Sequence, residues 1–143
     1  MSDEPPVEPA AQRSFTGLTN TALCILCFLN AVGHVYVAFD VDLLSEFQRN
    51  AYHFAGFAFL AAVLNPLITG QTRSKPMLVF DLSFGLLVAA AAIYMPFAEQ
   101  GIYDRGVKFS ALDWVASVIC IIGAIELTRR LTGWVIPALI IIA

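Results

Sequence analysis

At 143 residues, with 59% hydrophobic and only 13% charged residues, the chain is too apolar for an ordinary water-soluble domain, whose surface carries a dense coat of charge. Its net charge of −3 and its eight Lys and Arg, which nowhere form a dense patch, argue against a nucleic-acid-binding surface. The charges fall in short groups between apolar runs, and a helix crosses the ~30 Å hydrocarbon layer in roughly 20 residues. The fold class expected is therefore an all-α membrane protein: a four-transmembrane-helix bundle with a further apolar helix beginning at its C-terminus.

In chain order, residues 1–14 read as a disordered, acidic and Pro-rich cytoplasmic tail, with Pro5, Pro6 and Pro9. They lack the basic region that precedes the apolar part of a secretory signal. The first span covers about 15–39, with no charged residue from Ser14 to Phe39. Cys24 and Cys27 within it spell Cys-x-x-Cys, but no βαβ context surrounds them and they read as structural. Asn30 and His34 are four apart on one helix face, suited to hydrogen bonding with a neighbouring helix more than to lining a polar path.

The second span is expected at about 50–72 and the third at about 76–98. Asp81, near the start of the third, complements the positive end of the helix dipole and reads as a cytoplasmic anchor within reach of headgroup water. An ion pathway is the lesser reading, since no second carboxylate is expected at its depth. The fourth span, about 109–129, is bounded by Asp113 and Glu126, 13 residues or about 20 Å apart. Residues 15–131 thus form the membrane domain, and 132–143 the start of a connecting helix. The run Leu131–Ala143 is too short to cross a bilayer and contains Pro137, so it begins a further helix or lies against a partner or the membrane surface.

Counting basic residues in the loops places both ends of the domain on the cytoplasmic side. Arg13, Arg73, Lys75, Arg129 and Arg130 fall there, against Arg49, Arg105 and Lys108 on the other face. That second face also carries Asp40, Asp42, Glu46, Glu99 and Asp104, and Tyr36, Tyr52, Tyr94, Tyr103 and Trp114 anchor it. Small residues four apart, at Ala51 and Ala55, Ala58 and Ala62, and Gly85 and Ala89, are candidates for close helix contacts.

His34 and His53 both fall near the non-cytoplasmic end, where a haem between them is conceivable, but interfacial hydrogen bonding is the preferred use. Glu126 can pair with Arg129 or Arg130 one turn on, and Gly133 permits a turn before Trp134 opens the next apolar segment. The sequence contains no glycine loop for nucleotides, no metal-ligand cluster and no nucleophile with its base. Neither an enzyme nor a resident cofactor is expected.

Two stretches carry a resemblance: Gln48-Arg49-Asn50-Ala51-Tyr52-His53-Phe54, and Ile125-Glu126-Leu127-Thr128-Arg129-Arg130-Leu131-Thr132-Gly133-Trp134-Val135-Ile136-Pro137. Both resemble the fused permeases of the tripartite ATP-independent periplasmic (TRAP) transporters. Their small four-helix part has an Arg-x-x-x-His start to its second helix and a Leu-Glu-x-Thr-Arg-Arg-x-x-Gly-like segment leading into the large permease part. The resemblance covers roughly residues 15–143, and the second motif is the more specific. It implies a secondary transporter of the bacterial inner membrane. In it an extracytoplasmic substrate-binding protein delivers an organic acid, and a sodium gradient drives uptake through the large subunit. The small part then braces the large permease and does no chemistry. Residue by residue, Arg49 and His53 match the start of the second helix, and Glu126, Arg129, Arg130 and Gly133 the end of the fourth. All six are expected to serve architecture and interfaces. A fused permease continues for several hundred residues beyond the length of this chain. The rival readings are the small membrane subunit of a tripartite tricarboxylate transporter, against which the Arg-Arg segment argues, a haem-binding helical membrane subunit, and a helical assembly factor.

Overall fold

In the computed structural model, which describes residues 12–39, 43–68 and 72–142, every regular element is helical. The order is α1 (Gly17–Phe39), α2 (Glu46–Leu64), α3 (Lys75–Asp104), α4 (Ala111–Thr132) and α5 (Val135–Ile142). Three of these, α1, α3 and α4, are long and apolar enough to cross a membrane, and this marks the chain as a membrane protein by helix length and composition. α2, the remaining long helix, does not meet that standard: its first half carries Glu46, Arg49 and His53, and its second half relies on alanine.

The helix ends follow local chemistry. α2 begins at Glu46, four residues earlier than expected, because Ser45 and Gln48 form a capping box in which each side chain takes the other's backbone N–H. It ends at Leu64 rather than near residue 72, since Asn65 precedes Pro66 and is pushed into extended backbone. α3 spans 30 residues, about 45 Å, and overruns its expected end at residue 98 by six residues. Pro96 does not break it, as membrane helices tolerate where neighbours cover the backbone. The α3–α4 turn holds Val107 at φ 62°, a conformation that a β-branched residue adopts only under strain. Ser110 and Asp113 cap α4 with a second capping box.

α2, α3 and α4 make the core. Hydrocarbon offers no hydrophobic drive between helices, so association rests on close packing, and the contacts run through small residues. Ala58 and Ala62 are fully buried, with Ala55, Ala89, Ala92, Val88 and Leu127 beside them. A Cβ added at Gly85 would stand 2.9 Å from the Ala62 Cβ, and one at Gly123 would stand 2.6 Å from a Val88 methyl. These two glycines are what let α3 approach α2 and α4. Ala51 is only partly buried.

α1 is different: none of its residues is buried. It leans on α2 at two places, where Asn30 covers Gly56 and where the His34 ring meets the His53 ring. Residues 1–11 of the expected tail lie outside the described residues. Arg13, assigned to that tail by sequence, is instead buried in the helical core, as described next.

Candidate functional site: two charge nodes and a histidine cleft

The most concentrated chemistry lies where α2 ends, α3 begins and α4 ends. Asp81, about 9 Å into α3, is fully buried between two buried arginines. Arg13 Nη2 donates to its Oδ2 at 2.6 Å and Arg130 Nη1 donates to its Oδ1 at 2.7 Å. Arg13 also donates from Nη1 to the Val63 carbonyl at 3.0 Å and from Nε to the Thr72 carbonyl at 3.3 Å, while its backbone N–H reaches the Leu64 carbonyl at 2.8 Å. Arg130 Nη1 further donates to the Asn65 carbonyl at 3.1 Å. The α2–α3 connection thus ends in carbonyls that point at two guanidiniums, and a carboxylate neutralises part of their charge. Such satisfaction is what makes buried charge tolerable.

Glu126 extends the node. Its Oε1 accepts from Arg129 Nη2 at 2.7 Å and from Arg130 Nε at 2.9 Å, and its Oε2 accepts from Arg129 Nε at 2.7 Å. Arg129 donates to the Leu67 carbonyl at 3.2 Å and stacks over Trp134, and Arg130 lies over Phe84. Gly133 then closes α4 with φ 75°, its N–H on the Arg129 carbonyl at 2.9 Å. A side chain at that φ is strained, so glycine is suited to the turn that aims α5. Two polar atoms of the node, Asn65 Oδ1 and Arg130 Nη2, are buried without a hydrogen-bond partner among the described residues.

The opposite end of the core holds a second node around Asp113. Its Oδ2 accepts from Arg105 Nη2 at 2.6 Å and from the Ser110 backbone N–H at 2.7 Å, and its Oδ1 accepts from the Tyr94 hydroxyl at 2.7 Å. Asp113 is buried, but Arg105 is nearly half exposed. The carboxylate serves the helix cap and the loop together.

Of the residues marked by sequence, Glu126, Arg129, Arg130 and Gly133 come together at the first node. Arg49 and His53 lie elsewhere, in the first two turns of α2. With His34, Val37, Ala38, Leu44, Asn50 and Tyr52 they line a cleft of about 290 Å³. The His34 and His53 ring centroids are 4.2 Å apart in an edge-on arrangement. A haem needs its iron and macrocycle between two facing imidazoles; rings in direct contact leave no such space, so the pair does not fit that group. Sequence reasoning missed Arg13 and underread Asp81, which is sealed from headgroup water by its two arginines and has Glu126 in the same network.

No protein-family model, curated protein or solved structure matches the chain.

Proposed function

We propose that the chain is the small membrane part of a TRAP-type secondary transporter, bracing a large permease subunit or domain in the bacterial inner membrane. In this reading α1 to α4 all span the bilayer, with α2 held in place by its alanine contacts to α3, and both ends of the domain face the cytoplasm. Uptake of an organic acid, delivered by an extracytoplasmic binding protein and driven by sodium, takes place through the large subunit.

One observation carries the reading. The Glu126-Leu127-Thr128-Arg129-Arg130 segment, on which the family resemblance rests most heavily, is also where α4 is clamped to the α2–α3 connection and turned into α5. Side chains that fix the departure of an apolar helix suit a scaffold better than a site that must exchange ions or substrate. The outward surface agrees with such a role. α1 buries nothing, and Leu112, Val115, Ile121, Ile122, Val135 and Leu139 stand exposed on α4 and α5, where lipid or a partner's helices can cover them.

The test is affinity purification from native membranes in mild detergent, with mass spectrometry of the chain and whatever stays bound. A large multi-span permease, covalently continuous or associated, is the expected product. Recovery of the 143-residue chain alone, or with haem, refutes the proposal. Charge reversal at Glu126 is expected to impair assembly and uptake together, and a Glu126→Lys variant that keeps both removes the scaffold role assigned to the clamp.

A further inference from the structure

The loose seam between α1 and α2 lies outside the packed core, and although Arg49 and His53 belong to the family resemblance, that resemblance gives the hollows beside them no occupant. The cleft lined by Arg49, His34 and His53 opens beside the last turn of α1 and the first turns of α2, at one end of the bundle. A second cleft, of about 340 Å³, lies further along the same two helices and is walled by Leu26, Leu29, Asn30, Gly56, Phe59 and Leu60. The residues follow one stripe on each helix: Leu26, Asn30, His34 and Val37 on α1, and Arg49, His53, Gly56 and Leu60 on α2, three or four apart throughout. The two hollows are therefore successive parts of one seam. It is cationic and hydrogen-bonding at the helix ends and mainly apolar toward the middle.

We propose that this seam is a phospholipid-binding site: Arg49 and the histidine pair receive the phosphate, and an acyl chain lies along Leu26, Leu29, Phe59 and Leu60. The order of polarity along the seam matches that of a phospholipid entering from one face of the membrane, and it does so whichever face that is. Guanidinium is the side chain best matched to phosphate oxygens, through paired and charge-assisted N–H donors. His34 lines the cleft and its Nε2 is buried without a hydrogen-bond partner among the described residues, a lack that a phosphate or ester oxygen meets when Nε2 carries the proton. A volume of about 290 Å³ suits a headgroup, close to the lower bound of roughly 300 Å³ for ligand cavities, while the chain extends beyond it. α1 buries no residue, so the seam is open to a lipid that fills it and holds the helices together. This site is independent of the transporter reading.

Native mass spectrometry of the purified full chain, titrated with phosphatidylglycerol in mild detergent, tests the proposal. Wild-type protein is expected to retain at least one lipid. Arg49→Gln is expected to weaken retention about tenfold, the scale of a lost charge-assisted contact, and Arg49→Lys to weaken it by less, since the charge stays while the paired donors are lost. Leu26→Trp, which fills the apolar cleft far from the cationic end, is expected to weaken retention of the lipid while leaving circular dichroism unchanged. If Arg49→Gln does not fold, Arg49→Lys and Leu26→Trp still decide the matter. Equal retention by wild type and Leu26→Trp overturns the proposal, since the bound lipid then coats the surface without selecting the seam. Displacement of the lipid by inorganic phosphate at equal concentration also overturns it, and makes the cleft a site for a free anion.

Discussion

Two aspartates, one near each end of the bundle, are both sealed from solvent and both paired with arginine, yet they are held in opposite ways. Asp113 takes its partners from nearby chain: Ser110 three residues before it, Arg105 eight before it, and Tyr94 from the preceding helix. Asp81 takes its partners from positions 68 and 49 residues away, one preceding α1 and one in the last turns of α4. The first carboxylate organises a cap and a turn; the second joins three distant pieces of chain. A buried charge with local partners can stay satisfied while a helix frays, whereas one with remote partners is left uncompensated when any of the three pieces moves.

That difference orders the expected effects of substitution. Asp81→Asn, which leaves the buried Arg13 guanidinium without an anion and Arg130 with Glu126 alone, is expected to lose the most, about 3–5 kcal/mol in reversible unfolding from detergent micelles. Arg130→Met keeps the Arg13 contact but strips one charge-assisted bond from each of Asp81 and Glu126, and should lose about 2–3 kcal/mol in the same measurement. Asp113→Asn retains its neighbours' geometry and should lower the unfolding midpoint by clearly less than Asp81→Asn. Arg105→Ala, at a side chain 45% exposed, should cost under about 1 kcal/mol. A reversed order, with the Asp113 variants the more damaging, breaks the distinction between remote and local partners.

What could be read from the sequence divides along the same line. The i to i+3 and i to i+4 pairing of Glu126 with Arg129 and Arg130 is a helix-surface rule, and the structure has both contacts; the turn at Gly133 is equally local. The close approach at Ala58, Ala62 and Gly85 follows from small residues in spans that pair by packing. The start of α2 was within reach, since Ser45-x-x-Gln48 is a capping signal that outweighs the loss of apolar character before Asn50. Its end was too, because Pro66 disfavours helix at Asn65. The Arg13 contact was not: a lone arginine beside a Pro-rich acidic stretch reads as tail, and nothing local points to a carboxylate 68 residues on. Asp81 carried half of a signal, since a carboxylate placed inside an apolar helix implies a partner, but the pattern does not name it. The edge contact of His34 with His53 likewise depends on how α1 leans on α2, which periodicity leaves open.

The central claim is that Arg13 belongs to the membrane domain and acts through Asp81. A double-mutant cycle with Arg13→Met, Asp81→Asn and both together, read by unfolding in one detergent, tests it most directly. The account predicts a coupling of at least about 1 kcal/mol, with Arg13→Met costing far less once Asp81 is already neutral. Additivity within about 0.5 kcal/mol would contradict it and return Arg13 to the tail.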